Sequence, residues 1–573
     1  MSEAPIPQLF ETAVDVYEKG DTERALSLAE DVLRRQPQHP GALYMTGSLL
    51  LGRGAVAEAL PRLEQAARLQ PNDGELLETL GHAYLNAQRW AQAVGAYRAA
   101  WQAGRRHPDL LNNLGLALKE TGDVDGAIGA YQEAIRLASD DAAVHNNLAI
   151  ALNRKHDYMG AIAAYRRSTE LDPGNAGVWS NLATLYEQTN LIEEAEQALA
   201  RGLAADPRQE NLHLIAARCA RRRGAFPEAV ERLERELARP DLSPGIRRAM
   251  EFELGRDYDH LEDAAHAFPH FAAGNALTDR VWPGMRAGAD AFLQDLDRRL
   301  AYFSSGLPAA WSASPPEERP SPVFLVSFPR SGTTLMDTIL DAHPGVSVME
   351  EVPFLENVVE QVRRLPSGYP QALATLDPDR IRTLRADYWR EVDALLGPAA
   401  RDTLVVDKNP FYSAHAAFIR LLFPGARFIF ALRHPCDVVL SCFMQAFGYN
   451  PVLHNFRDLD NTAQTYRRVM DLWSRYRELL ALPVHELRYE ALVADKQKEL
   501  DALLAFLGLA WEESMEDHTR HAKKRGRIYT PSYHQVIKPV YGDAVERWRR
   551  YRPQLEAVLP VLRPYIERFG YEA

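Results

Sequence analysis

A 34-residue period governs the first half of this 573-residue chain. Gly47, Gly81 and Gly115 step by 34, and Ala149 and Ala183 continue their column. Ala25, Ala59, Ala93, Ala127, Ala161, Ala195 and Ala229 form a second column at the same spacing. A fixed period of this length means stacked helical hairpins, because one hairpin cannot bury its apolar face alone and must share a core with its neighbours. The two columns of small residues let paired helices approach closely, and Tyr84, Leu118, Leu152 and Tyr186 fill the space between them. Pro37, Pro71, Pro173 and Pro207 fall where the second helix of a unit has to stop. Gly255-x-x-Tyr258 repeats the Gly81-x-x-Tyr84 step after an insertion, so a further, offset unit is expected up to Asn275. The periodic region is expected to span residues 6–275.

This pattern resembles the tetratricopeptide repeat, and the resemblance implies an α-solenoid whose concave face takes extended peptides. Asn113, Asn147 and Asn181 again lie 34 apart, each two residues before a small residue of the first column. An amide offers donor and acceptor together, which suits a peptide backbone of any sequence; equally, such amides can bridge neighbouring helices. They are the candidate peptide-binding residues, with a protein or peptide as the expected partner of the repeats. The same column holds Met45, Thr79 and Ile215 elsewhere.

Composition narrows the rest. A formal charge of −12 argues against a general nucleic-acid binder while leaving room for a local basic pocket. Cys219, Cys436 and Cys442 are the only cysteines and form no C-x-x-C, so neither a disulfide framework nor a zinc ribbon is supported. No metal is expected. The N-terminus lacks a basic stretch followed by an apolar one, and no run approaches the ~18 apolar residues of a membrane span, which predicts a cytoplasmic protein. Residues 276–321 read as a helical and Pro-rich linker, ending in Ala313-Ser-Pro-Pro-Glu-Glu-Arg-Pro-Ser321.

From residue 322 to 573 the pattern changes. Apolar runs at Val323–Ser327, Thr403–Val406, Arg427–Leu432 and Val484–Leu487 alternate with long amphipathic segments, which predicts a P-loop-like α/β domain with a parallel sheet and helices on both faces. The first run leads into Pro329-Arg-Ser-Gly-Thr-Thr334 and then a helix, so backbone amides, the Thr333 and Thr334 hydroxyls and the Arg330 guanidinium would meet at a helix N-terminus, where anions are favoured. No Lys follows Gly332, unlike the nucleotide-hydrolysing P-loop, which argues against a triphosphate. Lys408 and Arg433 also fall at strand ends, and Ser441 lies two helical turns beyond Arg433, giving a second anion site.

At these residues the chain resembles sulfotransferases that use 3′-phosphoadenosine 5′-phosphosulfate, and within them the tyrosylprotein branch. The resemblance rests on Pro329–Met336, Leu340-Asp-Ala-His-Pro344, Glu350-Glu351 and Gln535-Val-Ile-Lys-Pro-Val540. It implies that Arg330, Ser331, Gly332, Thr333 and Thr334 hold the 5′-phosphosulfate, and that Arg433 and Ser441 hold the 3′-phosphate. Tyr489 would lie near the nucleotide, and Lys538 in a loop that closes over it. It implies Glu351 as the base that deprotonates the acceptor hydroxyl, with Arg330 and Lys408 facing the leaving group. The product would be adenosine 3′,5′-bisphosphate and the acceptor a tyrosine held by the repeats; a carbohydrate or small-molecule hydroxyl, or a silent repeat scaffold, are the alternatives. Val352-Pro353 and Asn357 stand where the tyrosylprotein enzymes carry Thr-Arg and a later Arg that favour acidic peptides, and Gln445 stands where a 3′-phosphate arginine is found. Lys538 and the run Lys523-Lys-Arg525 are candidates to compensate for the last.

Overall fold

The computed structural model describes residues 5–307, 314–516 and 544–572. Two compact units emerge, residues 1–223 and 224–573.

The first unit is a run of antiparallel helix pairs such as Gly74–Asn86 with Trp90–Gln102 and Pro108–Glu120 with Val124–Leu137. The glycine column has a steric cause. A Cβ on Gly81 would lie 2.6 Å from the Tyr97 ring, and one on Gly115 equally close to Tyr131, sixteen residues on in each case. The partner ring therefore packs on bare backbone. The alanine column from Ala25 to Ala229 is fully buried. Second helices end at Arg35, Leu69, Leu171 and Ala205, two residues before the four period-marking prolines.

The second unit begins with more of the same geometry. Helices Pro244–His260 and Ala264–Ala276 form the offset hairpin, with Gly255 against Phe271 at 3.0 Å, again sixteen residues apart. The repeat period runs to 275, but compactness parts the chain earlier. Phe252, Ala267 and Phe271 of this hairpin share one buried cluster with Phe324, Phe428 and Trp473 of the sheet domain. Helix Met285–Ser304, inside the expected linker, adds Leu296 and Phe303 to that cluster.

The sheet has five parallel strands: β1 (Val323–Val326), β2 (Val346–Glu350), β3 (Leu404–Lys408), β4 (Arg427–Leu432) and β5 (Val484–Arg488), in the order β2-β3-β1-β4-β5. Alternation along each strand separates two cores, as helices on both faces require. Val323 and Leu325 face one cluster with Ile429 and Leu503, while Phe324 and Val326 face the other with Phe428 and Phe430. Four strands match the apolar runs; β2, on the sheet edge, has no counterpart among them. Chain order leaves β1 for the edge, returns between β2 and β1, then crosses to β4. The resulting crevice at the carboxyl end of β1 is where ligands of such sheets bind. Among the described residues no helix is long and apolar enough to cross a membrane.

One buried acid makes a stability prediction. Asp407 on β3 accepts a hydrogen bond from Tyr388 Oη at 2.7 Å, and burial pushes its carboxyl up to about 8 even though that bond lowers it. The folded chain thus binds a proton that the unfolded chain releases near pH ~4, so stability falls as pH rises between those values, by at most about 1.4 kcal/mol per pH unit. Asp407→Asn keeps an acceptor for Tyr388 without the titration. Denaturant unfolding of both proteins from acid to mildly alkaline pH should show the wild type losing ground to the variant as pH rises; the opposite slope contradicts the assignment.

Candidate active site at the carboxyl edge of the sheet

Every strand delivers one of the residues singled out in the sequence: Arg330 after β1, Glu351 after β2, Lys408 ending β3, Arg433 after β4 and Tyr489 after β5. They surround or back a cavity of about 970 Å³.

The turn after β1 is shaped by two residues in the left-handed region, Arg330 at φ 70° and Gly332 at φ 94°. Gly332 has a packing reason as well, since a Cβ there would lie 2.8 Å from the Tyr489 ring. Helix Thr333–Asp341 then starts with its first turn, Thr333 and Thr334 on the cavity wall. Ser331 is buried and lies off that wall. Arg330 Nε donates to Ser441 Oγ at 3.2 Å, and Arg433 Nη1 donates to the Arg330 carbonyl at 3.1 Å, so the two expected anion sites are bonded to each other. The Arg433 guanidinium also lies 5.1 Å from the centre of the Tyr489 ring. Burial pushes Arg330 down to about 10, and the nearby Arg433, Arg256 and Arg547 reinforce that lowering. Cations that crowd together in this way raise the local positive potential.

Glu351 occupies the opposite flank, on the β2–β3 side. Its backbone is held at φ 50°, a strained conformation for a side-chain-bearing residue. Lys408 supplies both restraints: its carbonyl accepts the Glu351 N–H at 2.8 Å and its Nζ donates to Glu351 Oε1 at 2.9 Å. The same Nζ lies 3.2 Å from Asp337 and 3.4 Å from Glu350. Burial opposes the Lys408 charge, but Asp337, Glu351 and Glu350 overcome it and hold its pKa above the ordinary lysine value. The Lys408 side chain is fully buried and lies off the cavity surface, unlike a cation that meets a leaving group directly. Glu351 is 42% exposed and opens into the cavity.

Lys538 and Lys523-Lys-Arg525 lie outside the described residues. Asn113, Asn147 and Asn181 lie in the first unit, where Asn147 Nδ2 donates to Asn112 Oδ1 at 2.9 Å, Asn181 Nδ2 to Asn146 Oδ1 at 3.3 Å, and Asn113 Nδ2 meets His82 Nε2 at 3.1 Å. All three join first helices of successive repeats.

Three features of the cavity were not evident in the sequence. Arg547 lines it, and a cue was available in the basic run Arg547-Trp-Arg-Arg550. Glu356 lines it too, accepting from Asn409 Nδ2 at 3.1 Å and from Tyr412 Oη, with burial pushing its carboxyl up. Helix Met285–Ser304 contributes Gly288, Ala291, Phe292, Asp295, Arg298 and Arg299, spaced as one helical face.

A cavity at the switch point of a five-stranded parallel sheet, walled by Arg330, Arg433 and Arg547 and by Glu351, defines a P-loop-like α/β domain. More particularly, residues 322–513 match the model of the sulfotransferase family, and residues 10–74, 78–142, 117–176 and 152–219 match tetratricopeptide-repeat models. An uncharacterized protein of Aquifex aeolicus is 29% identical over 267 residues, covering 43% of this chain and 34% of that one. Protein-tyrosine sulfotransferase 2 of Gallus gallus is 28% identical over 271 residues, covering 44% of this chain and 69% of its own length. The repeat protein YrrB, a solved structure, is 20% identical with a TM-score of 0.30, covering 32% of this chain and 95% of that one. The chain therefore carries a sulfotransferase-family domain behind tetratricopeptide repeats, and it spans about a third of the length of the Aquifex relative.

Proposed function

We propose that this protein transfers the sulfonyl group of 3′-phosphoadenosine 5′-phosphosulfate to an acceptor hydroxyl, most directly a tyrosine of a protein or peptide presented by the repeats. The observation that carries this reading is the convergence of residues from all five strand ends on one cavity, with cations on the β1–β4–β5 side and Glu351 on the β2 side. The tyrosine acceptor draws on the relatives named as protein-tyrosine sulfotransferases.

The residues fit such a donor. Arg433 Nε and Arg547 Nε are buried and have no hydrogen-bond partner among the described residues, so neither guanidinium is fully satisfied by the protein alone. When bound, the donor supplies an activated sulfonyl group on a phosphate leaving group. Arg330, Thr333, Thr334 and the first-turn amides would hold its 5′ end; Arg433, Ser441 and Arg547 would hold the 3′-phosphate, with Arg547 supplying the cation that Gln445 does not. Tyr489, packed on Gly332 beneath Arg433, braces the junction of the two. Glu351 receives the proton from the acceptor hydroxyl, and Lys408 keeps that carboxylate in place. Charge growing at the leaving oxygen is met by Arg330 rather than by solvent.

Transfer of radiolabelled sulfate by the full chain, to a peptide library, to simple phenols and to sugars in parallel, tests the reading. Labelling of tyrosine peptides is the expected result. Labelling confined to sugars or small phenols removes the peptide acceptor, and no labelling of any hydroxyl removes the activity. The Asn113, Asn147 and Asn181 ladder is tested in the same assay: the triple alanine variant should raise the peptide KM several-fold and leave the phenol KM unchanged.

A further inference from the structure

The helices that precede the sulfotransferase-family domain are bonded into its cavity wall. Asp259 stands near the end of helix Pro244–His260, outside the matched residues 322–513. Its carboxylate accepts from Tyr551 Oη at 2.7 Å, pairs with Arg547 Nη2 at 3.1 Å and lies 3.5 Å from Arg550 Nη2; its backbone carbonyl accepts from Arg550 Nη1 at 3.2 Å. Burial raises the Tyr551 phenol well above its ordinary range and the Asp259 charge adds to it, so that hydroxyl is a committed donor.

Arg547 is the one member of this cluster that reaches the cavity. Its Nη2 is shared between Asp259 and Met444 Sδ, the latter at 2.9 Å, which fixes the planar guanidinium at the end of the helix Pro435–Phe443 that carries Ser441. Ala544, three residues earlier, accepts from Arg433 Nη2 at 2.5 Å, so the segment leading into Arg547 is tied to the other cation of the same site. With Nη2 held by Asp259 and Met444 and Nε buried, the guanidinium has one fixed orientation at the cavity wall. A flexible arginine here would lose that orientation, because a guanidinium binds phosphate well only when its fork is held in plane.

We propose that Asp259 is a positioning residue for the donor, holding Arg547 where it meets the 3′-phosphate; this rests on the donor reading given above. The sulfotransferase-family domain is then incomplete without the last repeat-like hairpin. The charge balance agrees: Asp259 gives Arg547 a counter-charge from behind, which offsets part of its repulsion from Arg433 and Arg330 before any anion arrives.

The test uses the full chain and isothermal titration with adenosine 3′,5′-bisphosphate and with adenosine 5′-phosphate, which lacks the 3′ group. Asp259→Asn, which keeps the shape and an acceptor for Tyr551, should weaken the bisphosphate about tenfold and leave the monophosphate within twofold. Arg547→Gln should do the same, and the double variant should be no weaker than Arg547→Gln alone, because the two residues act as one unit. Asp259→Glu, which retains the charge, should recover part of the loss. Equal weakening of both nucleotides points to a merely structural role and overturns the proposal, as do additive losses in the double variant. Should Asp259→Asn fail to fold, selective weakening by Arg547→Gln with a smaller effect of Asp259→Glu still supports it, and any other order overturns it. A wild-type protein that binds no bisphosphate sinks the donor reading and this inference together; binding that Asp259→Asn leaves untouched sinks this inference alone.

Discussion

Glu351→Gln should lower kcat for sulfonyl transfer about a thousandfold while leaving the Kd for adenosine 3′,5′-bisphosphate within twofold. The size follows from the usual range for a positioned general base, about 10²–10⁴. The separation of the two effects follows from the sheet order, which puts Glu351 at the β2 end of the cavity and the cations Arg330, Arg433 and Arg547 around β1 and β4. Gln keeps volume and an acceptor oxygen for Lys408 Nζ, so the local structure has little reason to change; what disappears is the capacity to take a proton. Single-turnover rates with a fixed tyrosine peptide, paired with nucleotide titration, give both numbers. Activity retained within tenfold assigns the base to another group, and Glu356 is the next carboxylate on the cavity wall. A parallel loss of nucleotide affinity instead places Glu351 in donor binding.

Much of this arrangement was legible in the sequence because its causes are local. A glycine every 34 residues is a backbone on which a ring sixteen residues later can lie, and the same step at Gly255 and Phe271 marks the offset hairpin. The turn Pro329–Thr334, Arg433 and Ser441 could be read for the same reason: strand, tight turn and helix N-terminus are contiguous in the chain. What stayed hidden depends on residues far apart in sequence. β2 is a short edge strand whose alternation, Val346-Ser-Val-Met-Glu350, is brief enough to pass as part of a loop. The Leu340–Pro344 motif that precedes it is structural, with His343 accepting from Gly345 N–H at 2.9 Å and bonding the Ala510 carbonyl at 3.0 Å. The division at residue 275 follows a period, but no period reveals that Asn275 Nδ2 donates to the Phe443 carbonyl at 2.8 Å or Arg248 Nη2 to that of Phe447 at 2.9 Å. Lys408 illustrates the limit most clearly. Its place at a strand end was evident, but the three carboxylates around it come from β2, the residue after β2, and the helix after β1.

Lys408→Met should destabilise the second unit by about 3–5 kcal/mol and abolish transfer, two losses with different causes. Removing the ammonium leaves Asp337, which is fully buried, and Glu350, whose side chain is 4% exposed, without their shared cation. Taking the cation out of a buried ion cluster costs far more than losing an exposed pair. The catalytic loss has a separate origin, because Lys408 is what draws the Glu351 side chain back against a backbone already held at φ 50°. A second substitution distinguishes the two. Asp337→Leu added to Lys408→Met replaces the core of the cluster with apolar volume and should recover a substantial part of the stability, since well-packed hydrophobic replacements of buried pairs are often neutral. It should recover none of the activity. The raised Lys408 pKa sets the pH window: its contribution is fully present below the unfolded lysine value near ~10.4 and is lost as pH rises through the folded one. Denaturant unfolding between pH 6 and 9 should therefore show no lysine-linked slope, with the gap between wild type and Lys408→Met closing only at more alkaline pH. If the double variant regains transfer along with stability, Lys408 matters only for folding and Glu351 needs no partner to act.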